Sequence, residues 1–275
     1  MSARRVLITG AARGIGAATA RRLADDGARV ALVGLEPELL ERVAAECGGA
    51  PWWECDVSDR ARVDHVVNAA ADALGGIDVV VANAGVAGQM AIVSGDLDVW
   101  DRTLAVNLGG VFNTLRAAGP HIAHPRGYAL AVSSLAAAVH LPLIGAYCAS
   151  KAAVEALAGC LRTELRPTGA RVGVAYFAEI DTDMTSRGFG TAAAKHLTRG
   201  GRLSRVAPLD SAVDAVVRGI ARRSRRVVAP RWVGLVLPAR MAVQPFVERA
   251  VRRRVGEAVR IAQEERAELT TPQPR

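Results

Sequence analysis

A short apolar run with β-branched members, Val6-Leu7-Ile8, passes directly into Thr9-Gly10-Ala11-Ala12-Arg13-Gly14-Ile15-Gly16, and an alanine-rich helical pattern follows to about Asp26. Few chain geometries accommodate that succession. The run reads as a buried strand. The glycines let the backbone approach a ligand closely. The helix start leaves free N–H groups and the positive end of the helix dipole facing the ligand. Strand, turn and helix together make a cradle for a dinucleotide pyrophosphate. The spacing is G-x-x-x-G-x-G, which differs from the commoner G-x-G-x-x-G. A lone loop of this kind is a weak signal, so its meaning depends on what the rest of the chain supplies.

The rest alternates strand and helix. Strands are expected at Arg4–Ile8, Arg29–Val33, Trp52–Cys55, Asp78–Ala82, Tyr128–Ser133, Arg171–Phe177 and Arg226–Val228. Helices are expected at Ile15–Asp26, Glu38–Cys47, Arg60–Leu74, Asp98–Ala118, Ala146–Arg166 and Leu209–Arg222. Short apolar strands separated by longer helices indicate βαβ units. The fold class is therefore α/β: three layers, a doubly wound parallel sheet of about seven strands with helices on both faces. Ligands then belong at the carboxyl ends of the strands. At 275 residues with 51% apolar side chains, the chain has the material for one large domain.

A second pattern carries the chemistry. Tyr147 and Lys151 lie four apart in Tyr147-Cys148-Ala149-Ser150-Lys151, with Ser134 thirteen residues upstream. Residues four apart share a helix face. A phenol, with an ordinary pKa of about 10, is a poor acid or base near neutrality. An ammonium on the same face favours the phenolate and should bring the tyrosine closer to working pH. A serine hydroxyl at the same point polarises a carbonyl oxygen. These are the parts needed to move a proton at an alcohol or ketone, beside a site for the hydride carrier.

With these motifs in order, the chain resembles the short-chain dehydrogenase/reductase family over roughly residues 3 to 230. Thr9 to Gly16 is similar to its cofactor loop, with Gly10, Arg13, Gly14, Ile15 and Gly16 as the contacts. Asp56, followed by Val57, resembles its adenine-contacting acid, and Asn83-Ala84-Gly85 its Asn-Ala-Gly motif. Asn107, Ser134, Tyr147 and Lys151 match its catalytic positions. The resemblance implies a Rossmann-like fold and an NAD(P)-dependent alcohol dehydrogenase or carbonyl reductase. Tyr147 would exchange the proton. Lys151 would depress the tyrosine's pKa and bind the nicotinamide ribose. Ser134 would hold the substrate oxygen, and Asn107 a water leading from Lys151 to solvent. Homo-oligomers, dimers or tetramers, are implied as well.

One element departs from the family pattern. Phe177-Ala178 stands where Pro-Gly is usual, although Thr182 keeps the spacing expected of a nicotinamide contact. Phe177 is read as packing. Cofactor choice turns on the end of the second strand. Gly34 occupies the position where an acid would select NAD, and Arg13 is placed to meet the extra phosphate of NADP. Glu36 pulls the other way. NADP is favoured over NAD.

Residues 184–206, rich in glycine, are expected to be an irregular substrate lid within a catalytic domain of residues 1–230. Leu141, Leu143, Ile144, Met184 and Phe189 hint at a hydrophobic substrate. Residues 231–275 form a basic extension packed on the same domain. From Arg218 to Arg260 twelve arginines face two glutamates, a local charge of +10 in a chain whose net charge is +8. Pro238 and Pro245 argue against a continuous helix there. Arg249 to Ala267 reads as a charged helix, and Thr270 to Arg275 as a frayed end. Packing is the preferred role for the extension, covering the substrate side or extending a subunit interface; peripheral contact with anionic lipid through 231–260 is the second. Specific nucleic-acid binding is not expected, since charge alone gives only nonspecific affinity. Neither cysteine nor histidine spacing marks a metal site. With no signal pattern and no apolar stretch of membrane-spanning length, a cytoplasmic location with reduced thiols is expected. The competing functional class is a dinucleotide-binding regulatory or scaffolding protein of the same fold.

Overall fold

The computed structural model describes residues 4–188, 191–198, 205–265 and 269–270. Seven strands, β1 (Arg5–Thr9), β2 (Arg29–Gly34), β3 (Trp52–Glu54), β4 (Val79–Ala82), β5 (Tyr128–Val132), β6 (Arg171–Phe177) and β7 (Arg226–Ala229), form one sheet in the order β3-β2-β1-β4-β5-β6-β7. Every pairing is parallel. The α-helices of the described residues are α1 (Gly14–Asp25), α2 (Pro37–Glu46), α3 (Arg60–Leu74), α4 (Leu97–Leu104), α5 (Val111–Ile122), α6 (Gly145–Glu164), α7 (Asp183–Gly188), α8 (Ala192–Thr198), α9 (Leu209–Arg222), α10 (Val233–Val251) and α11 (Val255–Glu265).

A parallel sheet buried on both faces needs apolar side chains at consecutive positions. In β1, Leu7 points into a core shared with α3, α5 and α6, while Val6 and Ile8 point into one shared with α1, α2 and α9. The order reverses beside β1, which has β2 on one side and β4 on the other. The crevice at that switch point lies between the β1–α1 turn and the residues after β4, where open α/β sheets take their ligands. Local chemistry fixes some boundaries to the residue. The Asp59 carboxylate accepts from the Arg62 N–H at 3.0 Å to start α3, and Gly75, at φ 73°, ends it.

Three expectations need correction. The stretch expected as one helix from Asp98 is two helices, α4 and α5, joined by a π-turn at Ala105–Gly110. The region expected to be irregular contains α7 and α8. Its Gly190 and Gly200 to Ser204 lie outside the described residues, as does Phe189. Third, α10 runs unbroken through Pro238 and Pro245. Both prolines are on its solvent side, where the carbonyls deprived of an N–H partner can bond water instead. The chain breaks only at Arg252 to Arg254 before α11.

Thr270 docks on the segment that follows β4. The Thr270 N–H donates to the Ala87 carbonyl at 2.9 Å, and the Ala87 N–H donates to Thr270 Oγ1 at 2.9 Å. Thr270 is buried, so this part of the expected frayed end is docked; residues 271–275 lie outside the described residues. Helix α11 holds α8. The Glu265 carboxylate accepts from the Ala192 and Ala193 N–H groups, and Arg254 donates to the Leu197 carbonyl. Opposite charges thus meet the two ends of the α8 dipole.

Candidate active site

The first wall of the crevice is backbone laid against backbone. A Cβ on Gly10 would sit 2.8 Å from Ala84 Cα, and one on Gly16 only 2.1 Å from the Gly10 carbonyl oxygen. Gly10 and Gly14 hold φ of 65° and 56°, values a β-carbon disfavours. Asn83 Nδ2 donates to the Thr9 and Gly10 carbonyls at 3.0 and 3.2 Å. The buried Thr9 hydroxyl accepts from the Asn83 and Ala84 N–H groups at 3.1 and 3.2 Å. These bonds lock the turn to the end of β4. No side chain caps the first turn of α1, leaving its N–H groups for an anion. Such a cradle fits a dinucleotide pyrophosphate.

Farther along, the groove is lined by Arg13, Ile15, Gly34, Glu36, Asp56, Val57, Ala84, Gly85 and Thr182, a cavity of about 160 Å³. Burial works to raise the Asp56 carboxyl, but Arg102 at 2.6 Å and the bonds from Ser58 outweigh it and hold it below its usual range. Val57 fits against Gly110, where a Cβ would clash at 2.4 Å. Arg13 and Glu36, the two residues that argue oppositely about the cofactor, form a two-bond ion pair, and Arg13 also reaches Asp183 at 3.0 Å.

Ser134, Tyr147, Lys151 and Thr182 border the adjoining cavity of about 320 Å³. The structure therefore brings the candidate residues onto one crevice except Gly16, which is packed behind Gly10, and Asn107, which lies just behind the wall. Asn107 is fully buried in the π-turn, an expanded turn that recurs at functional sites. Its Oδ1 accepts from the Val86 N–H at 2.8 Å, while Nδ2 donates to the Val86 carbonyl at 2.9 Å and to Ser150 Oγ at 3.1 Å. Both atoms of its side-chain amide are thus committed to protein, fixing the chain after Gly85.

The buried Lys151 ammonium donates to the Val132 carbonyl at 2.9 Å and lies 5.6 Å from the Tyr147 ring centre. Burial lowers its pKa to about 8. Burial also pushes the Tyr147 phenol up to about 12, against the opposing hydrogen bond with Ser134. The expected depression of the tyrosine by Lys151 is not what the protein alone produces; desolvation wins. At neutral pH the amine is then charged and the phenol protonated, a resting acid. Cys148 packs with Ala136 and Ile144, and burial raises its thiol, which removes it as a nucleophile.

Of the residues expected near the substrate, Leu141, Ile144 and Met184 line the larger cavity. Leu143 packs with α8, Val251 and Ala258 instead. Phe177 is buried core beside the site, and the Ala178 N–H is used by the Ala229 carbonyl, so the Phe-Ala element extends sheet pairing. Sequence reasoning missed Ser133, whose hydroxyl holds the Lys151 carbonyl at 2.7 Å, together with Ser150, Arg102 and Thr270. Trp232, Val236, Val243 and Val247 of the α10 region, in the segment read as covering the substrate side or extending a subunit interface, wall the cavity. Ser133 and Ser150 adjoin recognised motifs and were within reach of inspection; Thr270 carries no local signal.

The short chain dehydrogenase pattern matches residues 4–190. D-threitol dehydrogenase of Mycolicibacterium smegmatis is 42% identical over 171 residues, covering 60% of this chain and 66% of that protein. A Mycobacterium tuberculosis protein named "Probable oxidoreductase EphD" is 34% identical over 246 residues, 84% of this chain and 42% of that one. The chain thus spans less than two thirds of the length of either relative. A short chain dehydrogenase/reductase from Burkholderia phymatum, solved in complex with NAD, shares the fold with a TM-score of 0.75 at 23% identity, over 85% of this chain and 92% of that one. By the match over its sheet, its cofactor cradle and its Tyr-x-x-x-Lys helix, the chain belongs to the short-chain dehydrogenase/reductase family of oxidoreductases.

Proposed function

We propose that the chain interconverts an alcohol and a ketone or aldehyde with NAD(P), on a hydrophobic substrate. The observation that carries this reading is the position of Ser134, Tyr147 and Lys151 where the dinucleotide groove opens into an apolar chamber. A bound nicotinamide dinucleotide would supply or take the hydride. Gly10, Gly14, Ile15 and Gly16 would hold its pyrophosphate, Asp56 and Val57 its adenine end, and Asn83, Ala84 and Gly85 the chain's central contacts with it. Lys151 would bind the nicotinamide ribose, and Thr182 the carboxamide.

In reduction, Ser134 Oγ would hold the carbonyl oxygen and Tyr147 would donate its proton to it. The phenol's high pKa keeps that proton available at neutral pH, and the charged Lys151 stabilises the phenolate left behind. In oxidation the same groups run in reverse. With its side-chain amide engaged by Val86 and Ser150, Asn107 acts as a positioning residue. The apolar lining, including Leu135, Val139, Leu141, Ile144 and Val243, supports a hydrophobic substrate.

NADP is the favoured cofactor. No carboxylate stands at Gly34, and a phosphate carries enough charge to compete with Glu36 for Arg13. Turnover of a panel of carbonyls and alcohols, with each cofactor supplied separately, tests the reading. Turnover on apolar members with NADP is expected, and Arg13→Ala should weaken NADP far more than NAD. Tight cofactor binding with no turnover on any member would favour the regulatory class instead.

A further inference from the structure

Helix α10 has two unlike sides. Val233 and Leu237 are buried against the sheet, and Val236, Val243 and Val247 wall the chamber. On the solvent side Leu235, Met241 and Phe246 are 77%, 85% and 74% exposed. Pro238, Ala239, Ala242 and Pro245, exposed among them, carry no charge either. From Trp232 to Val247 the single ionisable side chain is Arg240, and its charge is paired with Glu155 at 3.2 Å. Isolated exposed apolar residues are ordinary, but an uncharged arc over four turns of one helix is not a solvated face. Guanidinium groups bound the arc at both ends, with Arg231 before it and Arg249, Arg252 and Arg253 after it, all exposed.

We propose that this arc rests on an anionic lipid surface. Leu235, Met241 and Phe246 enter the boundary between headgroups and acyl chains, while Arg231, Arg249, Arg252 and Arg253 meet the lipid phosphates. The charge distribution selects this occupant over a second copy of the chain. A two-fold contact through the arc would set the arginines of one copy against those of the other, with Glu248 the one acid beside them, and that acid is already engaged by Gln244 at 3.0 Å. No helix among the described residues is long and apolar enough to cross a membrane, so the contact is peripheral. Because α10 also walls the chamber, docking would bring that wall to the lipid. Delivery of an apolar substrate from the bilayer rests on the oxidoreductase reading; the docking itself does not.

The test is co-sedimentation of the full chain with vesicles of phosphatidylcholine alone and of phosphatidylcholine mixed with phosphatidylglycerol. Binding to the anionic vesicles, weakened by salt, is expected. Leu235→Ser/Met241→Ser/Phe246→Ser should lower it by at least about tenfold. Arg249→Gln/Arg252→Gln/Arg253→Gln should lower it about a hundredfold, at about fivefold per arginine. Both variants should melt like the parent, because all six side chains are exposed. No binding to anionic vesicles at low salt, or serine-variant binding equal to the parent, overturns the proposal. So does a serine variant that merely converts a larger assembly to a smaller one while the parent ignores vesicles. Vesicle binding is read without turnover, so a failure of the catalytic assignment leaves this result standing.

Discussion

The two halves of the crevice are built by different means. The dinucleotide groove is made of main chain: Gly10, Gly16 and Ala84 approach so closely that a single β-carbon would meet the Gly10 carbonyl oxygen at 2.1 Å. The adjoining chamber is made of side chains, and one wall of it comes from α10, which starts at Val233, far along the chain from the Tyr147 helix start at Gly145. A wall of main chain admits one residue type at each close approach. A wall of apolar side chains accepts many that keep its volume. The groove should therefore respond to substitution steeply and locally, and the chamber gradually.

Lys151 stands at the boundary of the two, and its replacement should have the largest effect. Lys151→Met should lower turnover by about a thousandfold. It should also stabilise the protein at neutral pH. With the amine's pKa lowered from 10.5 to about 8, the folded state is penalised by about 3 kcal/mol while the amine is charged, and the penalty fades as pH rises from about 8 to 10.5. Denaturant unfolding at neutral and high pH checks both signs. In the parent protein, reductive turnover should fall as pH rises through about 8, because Lys151 loses the charge that stabilises the phenolate.

Gly16→Ala should come next. The methyl group has no space, and the shift should weaken cofactor binding by about 10- to 100-fold, from a strain of about 1–3 kcal/mol. Titration of cofactor binding measures it. Trp232→Ala sharpens the contrast from the other side. It should raise the KM for an apolar substrate about tenfold while leaving cofactor affinity unchanged. A comparable change in cofactor affinity would erase the distinction between the halves. The smallest effect belongs to Thr270→Val, which leaves the Ala87 N–H without its acceptor at a cost of about 1–3 kcal/mol, read as a lower melting temperature.

The same difference governs what the sequence discloses. The sheet was legible because Val6-Leu7-Ile8 and its counterparts are buried on both faces. The glycine turn was legible because glycine answers to fixed backbone geometry, whereas Asn83 and Asp56 entered only through the family resemblance. Ser134, Tyr147 and Lys151 were legible because one helix face and one strand end hold them. The α10 segment was legible only as packing on the substrate side or at a subunit interface, because any apolar residue can line either, and two prolines argued against the helix itself. Thr270 was invisible for a related reason: its partner, Ala87, is 183 residues away and is bonded through its main chain. The pKa of Tyr147 went astray because spacing reveals a neighbouring charge but not the desolvation that opposes it.

The central claim is that Tyr147 exchanges the proton while the groove independently holds the cofactor. Tyr147→Phe tests it most directly when cofactor affinity and single-turnover hydride transfer are measured on the same sample. The prediction is affinity within about twofold of the parent and transfer slowed by at least about a hundredfold. Transfer at the parental rate with cofactor bound would contradict it.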